Sequence, residues 1–212
     1  LVGGKSLSRM IIGTNWILGW SHTGAAADQL IRSKNDTAEK IADLLEVYLR
    51  AGVDTIMAPF VGQEHLMRGI RLAEDRTGRG MILVDTPILN VDDNDIARAQ
   101  AAATIEASRK NGATFCFPHH SSTEQLVSKN KGTIDRLPDY LAMIRDAGMV
   151  PGLSAHMPEL VLYSDANGYD VETYIQIYNC LGFLMQIEIE TISKIIWEAK
   201  KPVMTIKSMA AG

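Results

Sequence analysis

The sequence predicts an α/β fold and, within that class, a (β/α)8 barrel, on three observations. Seven short, near-continuous apolar runs recur along the chain. Helical apolar stripes separate them. A glycine closes the turn just before a strand at Ala51-Gly52, Asn111-Gly112 and Ala147-Gly148. Unbroken apolar runs suit strands buried on both faces, and regular alternation with helices implies parallel βαβ units.

The runs occupy residues 9–15 (RMIIGTN), 54–60 (DTIMAPF), 81–87 (MILVDTP), 114–120 (TFCFPHH), 150–156 (VPGLSAH), 173–179 (TYIQIYN) and 202–208 (PVMTIKS). Between the first two, residues 37–51 carry Ile41, Leu44, Leu45 and Tyr48 at helical spacing, with Asp36 and Glu39 placed as a capping box and Gly52 as the stop. Residues 96–110 are alanine-rich and follow Asp92-Asp93-Asn94-Asp95, which supplies caps and negative charge to a helix N-terminus. Residues 134–147 and 189–200 repeat the helical spacing. No GxGxxG turn marks an open nucleotide-binding sheet, which favours the barrel. A barrel of this kind needs about 250 residues. At 212 residues the sequence reads as one barrel domain over 1–212 that stops after its seventh strand, with the C-terminal strand and helices missing.

Composition narrows the partners. A net charge of −4 argues against a nucleic-acid binder, which needs a basic face. No apolar run approaches the roughly 18 residues of a membrane helix, so no membrane partner is expected. Cys116 and Cys180 are far apart without CxxC spacing, and both sit in apolar surroundings, which suits buried thiols in a reducing cytoplasm. A small-molecule substrate is the expected partner; the sequence does not set an oligomeric state.

Barrel chemistry belongs to the carboxyl ends of the strands and the loops after them. Those ends carry Asn15, Asp85, His119, His120, His156, Tyr178, Asn179 and Lys207. The remaining histidines, His22 and His65, follow the first and second strands, so all five are expected on that face. Asp85, His119, His120, Lys207 and Tyr178 are the candidate catalytic groups; Asn15, Trp20 and Asn179 are candidates for substrate contact. Asp85, His120 and His156 form a candidate set for zinc, manganese or iron, since mixed nitrogen and oxygen ligands suit those ions better than calcium. Each has a plainer reading: Asp85 as a loop cap, His156 as a satisfied loop histidine, and Trp16 and Trp20 as packing. Strand alternation sends one of His119 and His120 away from the barrel axis. Lys207 has few structural reasons to end an apolar strand; anion binding, proton transfer or Schiff-base formation are its candidate roles.

Residues 52–70 (GVDTIMAPFVGQEHLMRGI) resemble the second-strand region of aldo-keto reductases. Gly152-Leu153-Ser154-Ala155-His156 and Ile175-Gln176-Ile177-Tyr178-Asn179 resemble two later strands of that family. The resemblance implies a barrel, an NADP-type nicotinamide cofactor and hydride transfer. Three positions depart from the family pattern. The catalytic tyrosine falls near Phe60 or Val61, and the catalytic lysine falls at Asp85. Only the fourth-strand histidine has a counterpart, in His119 or His120. Residues 201–212 (KPVMTIKSMAAG) also resemble a set of uncharacterised bacterial and archaeal barrels.

Three functional readings follow. The first is acid–base or metal-assisted chemistry on a small carbonyl or hydroxyl compound, sugar-like or oxyacid. The second is a nicotinamide-dependent oxidoreductase with a reorganised catalytic set. The third is a barrel without catalysis that serves as a binding or regulatory subunit.

Overall fold

A computed structural model describes residues 1–211. In chain order the elements are β1 (Ile12–Gly13), α1 (Asn15–Leu18), α2 (Ala25–Lys34), α3 (Ala38–Arg50), β2 (Thr55–Ala58), α4 (Glu64–Thr77), β3 (Ile82–Asp85), α5 (Asp95–Lys110), β4 (Phe115–Cys116) and α6 (His120–Thr123). A short 3-10 turn at Glu124–Leu126 leads into β5 (Val127–Ser128) and β6 (Thr133–Ile134). Then come α7 (Leu137–Asp146), β7 (Val150–Pro151), β8 (Leu153–Ser154), α8 (Glu159–Asn167), β9 (Tyr174–Ile177), α9 (Ile189–Glu198) and β10 (Val203–Ile206).

Every predicted apolar run contains a strand. One parallel sheet has the order β1-β2-β3-β4-β7, and a second has the order β10-β9-β8, also parallel. β7 and β8 are separated by Gly152 alone, so the two sheets share one continuous segment of chain. The parallel strands therefore follow chain order from β1 to β10 without reversal, which sets the fold apart from a doubly wound sheet. Among the described residues no ladder joins β10 to β1.

Gly152 permits the join between the sheets. A Cβ there would lie 2.4 Å from the Phe117 ring, a separation real Cβ atoms do not tolerate. The ring of Phe117 occupies the space a side chain would need and seals the inner core with Val84, Phe115, Val150, Ile175 and Met204. Val2, Leu7 and Ile11 pack against the same cluster. Ser8 fastens the N-terminal segment beside β2, its amide donating to Asp54 Oδ1 and Thr55 Oγ1 at 3.3 Å each.

The helices cover the other face. Ile12, Ile56, Ala58, Phe60 and Leu83 pack with Ile41, Leu45, Leu49, Leu66 and Ile70 of α3 and α4. Farther round, Cys116, Leu153 and Tyr174 pack with Ala101, Ile105, Leu141, Ile144 and Leu160. The glycines before β2, β4 and β7 behave as expected: Gly52, Gly112 and Gly148 have φ of 83°, 86° and 79°, a left-handed turn that glycine adopts without steric cost.

Local capping differs in one place from expectation. Thr37 caps α3, accepting from the Lys40 amide at 3.3 Å, while Asp36 pairs with the Lys40 ammonium at 2.7 Å. Asn94 caps α5 as expected, accepting from Ala97 at 2.8 Å. Residues 127–134 form the antiparallel ribbon β5–β6, so α7 starts at Leu137 rather than at residue 134. Cys116 is buried, but Cys180 is exposed, contrary to the expectation of two buried thiols.

Gly152→Ala is expected to destabilise the protein by about 1–3 kcal/mol through overpacking against Phe117. Urea unfolding checks this, and the double variant with Phe117→Leu should recover part of the loss.

Candidate active site at the carboxyl ends of the strands

The two-residue period of a strand decides which strand-end side chains face the inner space. In β3, Ile82 and Val84 pack on the inner cluster while Leu83 packs on the helices. Thr86 continues the inner set, and Asp85 lies on the helix side. In β8, Leu153 and Ala155 belong to the helix side and Ser154 and His156 to the inner side. In β10, Met204 and Ile206 face inward, and Lys207 follows directly.

The inward side chains surround a cavity of about 790 Å³. Its polar groups include Asn15, His22, Thr86, His119, His120, Ser154, His156 and Lys207; Trp16, Trp20, Met57 and Phe183 supply apolar wall. No carboxylate lines it among the described residues, and Lys207 is the permanent charge in its wall.

The histidines form a stack. His119 and His120 have ring centroids 4.1 Å apart, and His120 and His156 lie 3.6 Å apart with planes tilted by 16°. Both His119 and His120 line the cavity, because β4 ends at Cys116 and strand alternation no longer applies beyond it. His119 caps α6: its Nδ1 accepts from the Ser121 amide at 3.3 Å and meets Ser121 Oγ at 2.8 Å. Burial is the largest cause that lowers the His119 and His156 imidazoles to about 4, with His120 and Lys207 nearby adding to it. Both rings are neutral at physiological pH.

Across the cavity, Lys207 Nζ lies 2.9 Å from His22 Nε2, and Asn15 Nδ2 lies 3.0 Å from the same nitrogen. His22 is held on an anchored loop: Asp28 of α2 accepts from the Ser21 amide at 2.7 Å and from its hydroxyl at 2.6 Å. Burial lowers the Lys207 ammonium from its ordinary value. Burial, then Lys207, lowers His22.

The structure gathers Asn15, Trp20, His119, His120, His156 and Lys207 around this cavity and leaves the others outside it. Asp85 is fully buried on the helix side, where its Oδ1 accepts from the Phe60 amide at 3.0 Å and its Oδ2 has no partner. Burial pushes its carboxyl up to about 6, against the pull of Ser108 and the Phe60 amide. The pleat therefore separates Asp85 from His120 and His156. Among the described residues no group of three or more His, Cys, Asp or Glu side chains is arranged to hold a metal ion. The near-parallel rings of His120 and His156 also direct their in-plane lone pairs side by side rather than at one point. Tyr178 is half-buried and outside the lining. Asn179 organises the loop after β9, accepting from the Leu181 and Phe183 amides at 3.1 and 2.8 Å, and so reaches the cavity only through Phe183. His65 is exposed on α4.

Sequence reasoning passed over Thr86, Ser154 and Glu124. Glu124 stands one helical turn from His120, a spacing visible in the sequence.

No family model matches the chain, and no curated protein matches it. Among solved structures it is similar to octameric ribulose-1,5-bisphosphate carboxylase/oxygenase (Rubisco) from Pyrococcus horikoshii OT3 in two crystal forms. Both are 14% identical, with TM-scores of 0.47 and 0.46, and the match covers 80% of this chain and 42% and 44% of those chains. It is also similar to a rubisco-like protein from Burkholderia fungorum at 14% identity, TM-score 0.34, covering 81% of this chain and 52% of that one. The chain spans about half or less of the length of the structures it matches.

These findings overturn the aldo-keto reductase resemblance and the likeness to the uncharacterised bacterial and archaeal barrels, so the resemblance no longer supports an NADP cofactor or hydride transfer. The shared short motifs reflect what buried parallel strands between glycine-ended helices require: apolar runs, small residues and polar ends. Among the described residues no helix is long and apolar enough to cross a membrane.

The neutral histidines make stability depend on pH. A histidine lowered by folding contributes stability that is complete above its ordinary value near 6.5 and lost as pH falls toward 4. Asp85, raised to about 6, contributes in the opposite sense, fully below its ordinary 3.8 and less as pH rises through 6. His119 and His156 together outweigh it between pH 6.5 and 4. Thermal unfolding should therefore occur at lower temperature at pH 5 than at pH 7.5. His119→Asn, which keeps an acceptor for Ser121, should narrow the difference; melting curves of both proteins at both pH values decide it.

Proposed function

We propose that the protein is an enzyme that moves protons on a small anionic carbonyl or hydroxyl compound, an oxyacid or acidic sugar derivative. The observation that carries this reading is the composition of the cavity. A half-buried ammonium, Lys207, stands there without a carboxylate partner, opposite a stack of neutral imidazoles. An unpaired cation in a poorly hydrated site favours an anionic ligand group, and the bond between them is charge-assisted.

The parallel strands in chain order, with an inner apolar cluster and a cavity at their carboxyl ends, support reading the arc as part of a (β/α)8-type barrel over residues 1–212. In this reading Lys207 holds the substrate's carboxylate or phosphate, with Asn15 and His22 positioning its ammonium. The histidine pole addresses the carbonyl or hydroxyl end. Trp16 and Trp20 wall the space between and limit water. Neutral imidazoles suit this work, since each can accept a proton or donate one through its ring N–H. A divalent zinc, manganese or iron ion would have to take oxygen ligands from the substrate, because Asp85, His120 and His156 do not converge.

Trp16 and Trp20 provide a direct test. Their fluorescence should respond to small hydroxy acids or sugar phosphates and not to the neutral sugars. Lys207→Ala should weaken that binding roughly 10- to 100-fold, as expected for losing about 1.5–3 kcal/mol of charge-assisted bonding, with the circular dichroism spectrum unchanged. Equal binding by Lys207→Ala, or preference for neutral ligands, would sink the anion-site reading. For any ligand that binds, exchange of carbon-bound protons with deuterated water, followed by NMR, separates catalysis from binding. Binding without exchange or turnover, with and without added divalent metal, would favour the non-catalytic subunit instead.

A further inference from the structure

Two features beside the histidine stack have no role in the anion site. His120 Nδ1 is buried without a hydrogen-bond partner, and the Glu124 carboxylate stands beside it, with Oε2 3.6 Å away. Glu124 is itself pinned. Its other oxygen, Oε1, accepts from the His156 amide at 2.6 Å and from the Met157 amide at 3.1 Å. The carboxylate thus joins the 3-10 turn after α6 to the loop after β8, and its free oxygen faces His120. Burial raises the Glu124 carboxyl, but His120 and the two amides outweigh it, so the group stays ionised below its ordinary value.

From this geometry we infer that Glu124 is a positioning residue: it holds His120 with the proton on Nδ1 and leaves Nε2 as the proton-accepting atom of the cavity. The gap of 3.6 Å is longer than a hydrogen bond, and pairs of this kind commonly tighten when ligand closes the site. His119 takes the complementary tautomer. Its Nδ1 accepts from the α6 backbone, so its proton resides on Nε2. The stack therefore presents a base and a donor side by side. His120 Nε2 takes a proton from a carbon next to a substrate carbonyl. The electron pair of that C–H bond forms a carbon–carbon double bond, the carbonyl π pair moves onto its oxygen, and the His119 Nε2–H donates to the oxyanion. On a substrate whose reacting carbon bears a hydroxyl, His119 gives its Nε2 proton to the oxyanion and takes one back from that hydroxyl, whose oxygen becomes the new carbonyl as His120 returns its proton to the former carbonyl carbon, so the isomerisation needs no co-reactant. The imidazolium formed in between is stabilised by Glu124 and opposed by Lys207 and by the neighbouring rings of His119 and His156, the charged and titratable groups that face it.

The inference deepens the proton-transfer reading, but its test needs no substrate. In the full chain labelled with nitrogen-15 histidine, long-range proton–nitrogen correlation reads the tautomer of each ring, and single-histidine variants assign the signals. His120 should show a protonated Nδ1 and a bare Nε2, and His119 the reverse. Glu124→Gln keeps an oxygen for the His156 and Met157 amides and offers Nδ1 a donor in place of an acceptor. It should invert the His120 tautomer, moving the proton from Nδ1 to Nε2. Glu124→Asp should keep the native tautomer. His120 found with its proton on Nε2 in the native protein overturns the inference, even if Glu124→Gln fails to fold. So does a His120 signal unchanged in Glu124→Gln. Either result leaves the Lys207 binding test standing, so the two failures are distinguishable.

Discussion

The pleat of the parallel sheet, with its two-residue period, sets which groups can meet. Strands that follow chain order from β1 to β10 present one face to the helices and the other to a shared inner space. A displacement of one residue moves a side chain from one environment to the other. Asp85 and Thr86 show the consequence. They are adjacent, yet the aspartate is enclosed by helix-side packing and the threonine lines the cavity. Gly152 serves the same constraint, because the inner face can be filled by Phe117 only if the strand passing it carries no side chain.

The partition of charge follows from that geometry. The one carboxyl at a strand end, Asp85, is placed on the far side of the sheet, so the cavity wall keeps its ammonium uncompensated. Glu124 approaches from behind the histidine stack, outside the lining, with one oxygen held by two amides and the other 3.6 Å from His120 Nδ1. Lys207 disfavours protonation of His22, His119 and His156, and burial acts in the same direction. A carboxylate in the wall would reverse both effects by neutralising Lys207 and drawing protons onto the imidazoles. The lack of acid in the wall among the described residues, rather than the number of histidines, is therefore what supports the proposed anion site.

Much of the fold was legible because buried parallel strands and amphipathic helices have different periods, and the seven apolar runs each contain a strand. The site was legible in part. Lys207 stood out because a charge after an apolar strand is rarely structural, and the strand-end rule brought Asn15, His119, His120 and His156 to the same face. Asp85 was misplaced for a physical reason: a run buried on both faces, such as residues 81–87, carries no alternation from which its inward side can be read. The choice between His119 and His120 assumed that β4 continued, whereas Phe117-Pro118 ends it and a helix turn carries both rings inward. The β5–β6 ribbon escaped notice because two pairs of residues are too few to leave a periodic signal. Glu124 lay in view at helical spacing from His120, and only its contact with the loop after β8 gives that spacing a meaning.

The two ends of the strand arc meet through strained backbone. His22 and Lys207 both occupy the left-handed region, at φ of 63° and 57°, and their side chains touch across the side where no ladder joins β10 to β1. Such a conformation costs a residue other than glycine on the order of 1 kcal/mol or more and persists where surrounding contacts enforce it. On the β1 side the enforcing contacts are visible in the double bond from Ser21 to Asp28 and in Arg32 donating to the Gly19 carbonyl at 3.0 Å. On the β10 side the strand delivers Lys207 directly from Ile206, and the left-handed turn swings its ammonium toward His22 instead of letting it continue along the strand. An extended backbone at residue 207 would follow the strand direction and carry the charge away from the cavity. The strain is thus tied to the placement of the one charge in the wall, and the contact with a neutral imidazole holds that charge without cancelling it.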